Sequence, residues 1–271
     1  MHALRVRQRR RRVAYITVVV LVVAAVAVKR IVLDDTVHRV TAQEALDRFR
    51  DTTSTSLALT TTTVVEGLQL PEPGVYVYAT EGRESIDALG GSSHTYPAET
   101  TITVTPTGCG VELRWDVLRE RRDRWQLCLT DEGIVIGPSG SQTYHEFFGQ
   151  ADVKDISCDR EVLVVPADRR PRPPTELDCL LNSQPWMPVW EVVGAETRSV
   201  AGEEVEVVHV RMNVTSDARL WEYTTQDWFL TMNGLPVSLS ATKSALGDSA
   251  LGGVVYDETV SISLTSLQPL R

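Results

Sequence analysis

The chain lacks the short motifs that carry metal and nucleophile chemistry. It contains no C-x-x-C pair and no histidine at the spacing of a second metal ligand. His145-Glu146 begins like the helix of a zinc protease, but no histidine follows four residues after His145. Ser139, in the run GPSGS, lacks the glycine spacing of a nucleophile elbow. We therefore expect no catalytic residue, no metal and no cofactor, and we predict that the protein is not an enzyme.

Positive charge is scarce after the N-terminus, and only three of the 27 basic residues are lysine. Residues 1–30 carry eight basic residues and no acidic one, which leaves 19 basic against 36 acidic residues and a formal charge of −17. A body this acidic is repelled by nucleic acid and by anionic lipid head groups. The composition therefore excludes nucleic acid as a partner.

One long hydrophobic run is present, at Val13–Val28, directly after six arginines. Sixteen residues of helix rise about 24 Å, which is short for a hydrocarbon core of ~30 Å. Lys29 and Arg30 can extend their charged ends to the interface, and residues 31–33 prolong the apolar tract. A membrane-spanning helix is therefore feasible.

We predict a cytoplasmic basic tail at residues 1–12 and a transmembrane anchor at residues 13–33. Because all the arginines of the tail precede the run, the rest of the chain is expected outside the cytoplasm. The alternative is a signal peptide cleaved near Ala27, at the A-x-A site Ala25-Val26-Ala27, which would release a secreted protein. No cysteine lies near the end of the run, so a lipid-modified N-terminus is not indicated.

A short helix and a spacer are predicted between the anchor and the main domain, at residues 34–73. Thr41 and Glu44 form the pattern of a capping box, which predicts a helix over about residues 42–51. Residues 51–73 are rich in threonine and serine and close with two prolines, which is typical of a linker. The predicted helix and the linker together resemble a stalk. A stalk has a role only if its base stays attached to the membrane, so this region favours an uncleaved anchor.

From Gly74 onward, apolar and polar residues alternate with the period of a β-strand. The clearest strand is Val111–Val117, and Asn233-Gly234 is a strong hairpin signal. We predict an extracytoplasmic domain at residues 74–271 that is all-β and mainly antiparallel. About ten strands should form a curved sheet, a half-barrel or a sandwich.

Several stretches of this domain are expected to interrupt the strands. Glu81–Pro97 is predicted as a long polar loop, Gly137–Gly140 as a turn, and His145-Glu146 as part of a loop. The arginine- and proline-rich residues 167–174 are predicted as an exposed crossing. They divide the domain into two possible halves, 74–166 and 175–271.

All four cysteines lie in the β domain, and an even number outside the cytoplasm predicts two disulfides. Four cysteines allow three pairings. We predict Cys109–Cys128 and Cys158–Cys179, because the partners in each pair are close in sequence.

Two segments of the second half carry a resemblance to a known family. Between Trp190 and Arg211 the chain reads VGAE, then VAG, then HVR, and Trp228 is followed by GLPV at residues 234–237. In these features it resembles the LolA/LppX-like carrier superfamily. That resemblance implies a half-open antiparallel barrel whose concave face holds acyl chains beneath small helices. This chain departs from the pattern because it has no lipid-attachment cysteine and no evident lid helices.

The stretch from Pro73 to Cys128 is similar to a group of membrane-anchored exported proteins of actinobacteria. The similarity rests on PGVYVYATEGRESIDALGGSSHTYP and on Cys109-Gly110, Trp115 and Cys128. This similarity implies the same location as the hydrophobic run, outside the cytoplasm and attached to the membrane, but it implies no function.

Five residues are candidates for a ligand site. Trp115, Trp125, Trp190 and Trp228 fall in or beside predicted strands, where aromatic side chains either fill the core or line an apolar pocket. His94 lies in the predicted polar loop, a setting in which functional residues are frequent, although a plain surface histidine has the same pattern.

These features predict a non-catalytic binding or interaction protein of the bacterial cell envelope, attached to the cytoplasmic membrane by its N-terminal helix, with another envelope protein or an apolar ligand as its expected partner. A carrier or binder of a lipid or other apolar ligand is the alternative, and an envelope hydrolase is a third possibility. A contiguous apolar cavity of roughly 300–1,000 Å³ would favour the carrier.

Overall fold

The computed structural model describes residues 35–55, 68–216, 221–249 and 252–271. These residues divide into two compact units. The smaller unit consists of Asp35 and Thr36 with residues 147–150, and in it the Phe148 amide donates a hydrogen bond to Asp35 Oδ1 at 2.8 Å. The larger unit contains the remaining described residues, and the groove, clusters and cavities described below lie in it.

The larger unit is built from β-strands and one α-helix. The helix is α1 (Ala42–Thr55), and a single 3₁₀ turn covers Ala88–Gly90. The strands of the first half are β1 (Gly74–Ile86), β2 (Ser92–Thr95), β3 (Glu99–Pro106), β4 (Gly110–Asp116), β5 (Arg121–Thr130), β6 (Gly133–Phe147), β7 (Gln150–Cys158) and β8 (Val162–Pro166). Those of the second half are β9 (Arg172–Glu176), β10 (Cys179–Leu181), β11 (Gln184–Trp186), β12 (Val189–Val200), β13 (Glu203–Ser216), β14 (Glu222–Thr231), β15 (Pro236–Ser249) and β16 (Gly252–Leu264).

The strands form one antiparallel sheet that curls into a half-barrel. Its order is β11-β10-β7-β6-β5-β4-β3-β1-β16-β15-β14-β13-β12-β9, with β2 paired to β1 and β8 paired to β6. The predicted all-β, antiparallel class is therefore confirmed, and of the predicted forms the half-barrel is the one observed. The sheet has sixteen described strands where about ten were expected. The difference arises because several strands of three to five residues are too short to show a period of two.

Helix α1 begins at the predicted capping box. The Thr41 amide donates to Glu44 Oε2 at 3.0 Å, and the Glu44 amide donates to Thr41 Oγ1 at 3.2 Å. Ala45, Leu46 and Phe49 form the buried face of the helix and pack with Val75 of β1. The helix is therefore docked on the outer side of the sheet, and it continues past the predicted end at residue 51 to Thr55.

Three expected interruptions are wrong. Glu81–Pro97 is no continuous loop, because β1 extends through it to Ile86 and β2 returns along it. His145 lies inside strand β6, and residues 137–140 form a bulge in that same strand. The pairing of β5 with β6 shifts from Leu127–Ile136 to Trp125–Ser141 at this bulge, so the glycine- and proline-rich turn signal marks a change of register.

The edges of the sheet are short and contain proline. Strand β9, at one edge, takes up part of the predicted exposed crossing and includes Pro173 and Pro174. Strand β11, at the other edge, includes Pro185. Proline has no backbone donor, so both edges are poor templates for pairing with another chain.

Both predicted disulfides are present. Cys109 pairs with Cys128, and Cys158 pairs with Cys179. The second pair joins two residues that are directly opposite each other in β7 and β10. It therefore attaches the β10–β11 hairpin to the sheet.

The predicted anchor at residues 13–33 and most of the predicted spacer lie outside the described residues. Among the helices that are described, none has the length and hydrophobicity needed to cross a bilayer.

Candidate functional site

An open groove of about 700 Å³ crosses the outer face of the sheet over β1, β16, β15 and β14. Alternation within each strand produces its lining. On β16 the side chains of Thr259 and Ser261 are exposed, whereas Val260 and Ile262 between and beside them are buried in the core. Seven of the fifteen described lining residues are serine or threonine, namely Thr80, Thr95, Thr225, Ser240, Thr242, Thr259 and Ser261.

The register of the strands arranges these side chains in two rows. In the first row Asp227 is opposite Ser240, Ser240 is opposite Ser261, and Ser261 is opposite Glu81. The row therefore has a carboxylate at each end and two hydroxyls between them.

The second row runs parallel to the first, two residues along each strand. It consists of Thr225, Thr242, Thr259 and Arg83, again directly opposite one another in sequence of strands. In the described chain, the hydroxyls of Thr242 and Thr259 have no hydrogen bond within the protein, and the same is true of Ser240 and Ser261 in the first row. Both rows are therefore open to hydrogen bonding from outside.

Asp227 connects the groove to a cluster of one histidine, two arginines and an aromatic ring. Its Oδ1 accepts from His209 Nε2 at 2.6 Å and from Arg211 Nε at 2.9 Å. The His209 ring stacks on Phe229 with a centroid distance of 4.4 Å, and the Arg198 guanidinium lies 3.7 Å from the Phe229 centroid. These contacts fix the orientation of Asp227 at one end of the groove.

Tyr96 forms part of the groove wall and also reaches the interior. Its ring packs against Gly82, where an added Cβ would lie 2.9 Å from Tyr96 Cδ2 and 2.6 Å from the Thr259 carbonyl oxygen. Its hydroxyl donates to Glu258 Oε1 at 2.5 Å. Gly82 is therefore required for the close approach of Tyr96 to the sheet.

A buried ionic cluster lies on the inner face of β1 and β16 and includes side chains of β2, β5 and β6. Glu84 of β1 is directly opposite Glu258 of β16, an arrangement of like charges that is unfavourable by itself. Arg121 compensates for it, because its Nε lies 3.1 Å from Glu258 Oε1 and 3.8 Å from Glu84 Oε2. Arg121 also makes a bidentate contact with Asp123, at 2.6 and 2.9 Å.

Glu84 has three further hydrogen-bonding partners. Its carboxylate bonds to His94 Nδ1 at 2.8 Å, to His145 Nδ1 at 3.1 Å and to the Tyr256 hydroxyl at 2.9 Å. Burial opposes the charge of Glu84, but the hydrogen bonds to His145 and His94 and the charge of Arg121 outweigh it and lower the pKa to about 2. Glu84 is completely inaccessible to solvent, and its contacts with β2, β5, β6 and β16 tie these strands together.

The pKa values of the surrounding groups follow from the same contacts. Burial and the positive charge of Arg121 lower the pKa of His145, in spite of Glu84. Burial opposes the ionisation of Glu258 as well, but the charges of Arg121 and His145 and the hydrogen bond from Tyr96 together outweigh it, so the pKa of Glu258 is lowered. The cluster therefore holds ionised carboxylates around one guanidinium at neutral pH.

The structure brings three of the four candidate tryptophans together. Trp125, Trp190 and Trp228 line one apolar cavity of about 20 Å³, and Trp125 meets Trp228 edge to face at 4.8 Å. Trp115 lies elsewhere in the core, with its Nε1 donating to Thr100 Oγ1 at 3.0 Å. His94, the fifth candidate, is 1% exposed and belongs to the buried ionic cluster.

The two lysines of the β domain share a third cluster, with Glu222. Lys243 Nζ lies 3.3 Å from Glu222 Oε1, and Lys154 Nζ lies 3.5 Å from Asp152 Oδ2. Burial and the charge of Lys243 lower the pKa of Lys154. In the described part of the chain, no group of three or more histidine, cysteine or acidic residues is arranged to hold a metal ion.

The groove and the ionic cluster were not predicted from the sequence, although part of the signal is visible there. Glu258 occupies an inward position between Tyr256 and Val260, so an acid at a core position of a strand could have been noticed. The groove has no corresponding sequence signal, because the pattern of exposed serines and threonines on a strand is the same as that of an ordinary solvent-exposed face.

Comparisons with known proteins found no matching family model, no matching curated protein and no matching solved structure.

Proposed function

We propose that the protein is a non-catalytic binding protein of the bacterial cell envelope, attached to the cytoplasmic membrane by residues 13–33. Its β domain lies outside the membrane and binds a ligand or partner in the groove over β1, β16, β15 and β14. The groove carries this proposal. Its volume of about 700 Å³ falls within the range of ligand sites, roughly 300–1,000 Å³.

The proposed location outside the cytoplasmic membrane is supported by the charge distribution of the sequence and by the disulfides. Six arginines precede the hydrophobic run, as expected for a segment whose N-terminus stays inside. The two disulfides are typical of an oxidising compartment, although they do not specify which one. The acidic composition after residue 30 keeps the domain soluble and repels anionic lipid surfaces.

The alternative function, a lipid carrier, has less support from the cavities. The apolar cavity beside Trp125, Trp190 and Trp228 has a volume of about 20 Å³, which is close to that of a single water molecule. An acyl chain would require the core to open. The sizes of the two cavities therefore favour a protein that binds its ligand in the groove over a lipid carrier.

Photo-crosslinking from the groove tests the proposal. A photoreactive amino acid is placed at Thr242, inside the groove, or at the exposed Ser199 of β12 as a matched control, in the full-length protein in living cells. We expect a discrete adduct from position 242 and none from position 199. Equal adducts from both positions, or none from either, would contradict the proposal.

A further inference from the structure

We infer that the ligand of the groove is a glycan chain, bound through its hydroxyl groups by the two rows of side chains. This inference rests on the proposed function and names the ligand class of the same site. It depends on the register of four neighbouring strands, which places matched polar groups side by side across the sheet.

The spacing of the rows suits a chain of sugar rings. Neighbouring strands lie ~4.8 Å apart, so each row repeats a polar group at that interval and spans about 14 Å from β14 to β1. This interval is comparable with the repeat of one ring in an extended pyranose chain. Successive rings can therefore each meet one strand.

The chemistry of the rows also suits a polyol. The hydroxyls of Ser240 and Ser261 can donate and accept, while Asp227 and Glu81 at the ends accept only. Arg83, at the end of the second row, donates only. Paired donors and acceptors of this kind complement the hydroxyls of a sugar ring.

An aromatic ring continues the same face. Tyr223 is opposite Ser244, two residues along β14 and β15 from the pair Thr225–Thr242, and the tyrosine is 48% exposed. Its ring lies 5.5 Å from that of Trp221. An exposed aromatic ring offers a surface on which the apolar face of a sugar ring can stack.

Other classes of ligand fit the groove less well. A peptide adding a strand needs an open sheet edge, but β1, β16, β15 and β14 all have neighbours on both sides. A protein partner is usually anchored by several large aromatic or apolar side chains, but none of the exposed ones in the described chain lines the groove, and Tyr223, which continues its face, is a single ring. Asp227 and Glu81 repel phosphate groups, which disfavours nucleic acid and anionic lipid.

The test measures binding of glycan strands, freed from peptidoglycan by an amidase, to the full-length protein in nanodiscs. The stem peptides released by the same enzyme serve as a second probe. The double variant Ser240→Ala/Thr242→Val removes one hydroxyl from each row with little change of shape. The variant Thr197→Val/Ser199→Ala makes the same chemical change on exposed β12.

We expect the wild-type protein to bind the glycan strands and not the peptides. Losing two hydrogen bonds should weaken binding by about tenfold or more in the groove variant, because each bond contributes to the affinity. The β12 variant should bind like the wild type, and Tyr223→Ala should also weaken binding. Circular dichroism confirms that each variant is folded.

Binding of the peptides alone, no binding of the glycan, or equal loss in both double variants would overturn the inference. If the glycan does not bind but position 242 still forms an adduct in cells, the glycan inference fails and the proposed function stands. If neither occurs, both fail.

Discussion

Glu84 is the residue on which the interior of the half-barrel depends most. It receives hydrogen bonds from side chains on β2, β6 and β16, and it faces Arg121 of β5. The glutamate thus ties together strands that are far apart in the chain. Its removal would take one hydrogen-bond or ion-pair partner away from each of these side chains.

Replacing Glu84 with glutamine should therefore be strongly destabilising. The amide cannot accept from all three partners, and Arg121 loses part of its compensating charge. Removing one member of a buried ionic pair typically costs about 3–5 kcal/mol, which we expect to see in urea unfolding of the variant. Glu81→Gln, three residues earlier and exposed, is the control and should change stability by no more than about 0.5 kcal/mol. Equal effects of the two substitutions would contradict the role given to Glu84.

The same cluster predicts how stability depends on pH. The pKa of His145 is lowered by folding, so its contribution is complete above about pH 6.5 and is lost as the pH falls below that value. Glu84, whose pKa falls from 4.5 to about 2, contributes above pH 4.5 and loses this contribution towards pH 2. For Glu84 the lowered pKa corresponds to stability on the order of 3 kcal/mol.

We expect the urea midpoint to fall in two steps as the pH is lowered from 7.5 to 2.5. The variant His145→Gln should lose the upper step and keep a smaller lower step, because the hydrogen bond from His145 contributes to the lowered pKa of Glu84. A midpoint that is constant or rises over this range would show that the cluster is not ionised as described.

At the scale of elements, the β10–β11 hairpin is the part most dependent on a covalent bond. Each strand has three residues, and β10 pairs with β7 over only three positions, one of which is the disulfide Cys158–Cys179. The hairpin also exposes Leu180 and, just beyond it, Met187. Few buried contacts hold such an element in place.

The variant Cys158→Ser/Cys179→Ser should release this hairpin before the rest of the sheet. A loop of about 20 residues closed by a disulfide contributes roughly 3 kcal/mol in the chain-entropy model. We expect limited proteolysis to cleave the variant first between residues 180 and 187. Cys109→Ser/Cys128→Ser is the matched control, which should lower global stability without exposing that site. Cleavage at the same site in both variants would refute the assignment.

The elements differ in how well their sequences predict them. Strand β4 and the start of α1 could be predicted because alternation and a capping box are local signals. Strand β2 was hidden, since its one buried side chain is His94, a polar residue paired with Glu84. The bulge in β6 was hidden for a different reason: glycine and proline signal a bend of the backbone but do not distinguish a turn from a bulge.

At the scale of the whole β domain, the groove could not be predicted from the sequence. It joins Glu81 and Arg83 of β1 to residues more than 140 positions later in β14, β15 and β16. Only the pairing of β1 with β16 brings these segments together, and no local pattern specifies that pairing. For the apolar cavity, the sequence already indicated the tryptophans as candidates. The small volume that they enclose could be seen only in the structure.

The central claim is that the β domain lies outside the membrane and that its groove is occupied in the cell. Labelling with a membrane-impermeant maleimide tests both parts in one measurement, because all four native cysteines are in disulfides. Cysteine is introduced at Ser199 or at Thr242 of the full-length protein, and labelling rates on intact cells are compared with those of the purified protein. We predict that position 199 reacts equally fast in both, and that position 242 reacts more slowly on cells because bound ligand protects it. An unlabelled position 199 on intact cells, or a position 242 that reacts as fast on cells as in the purified protein, would contradict the account.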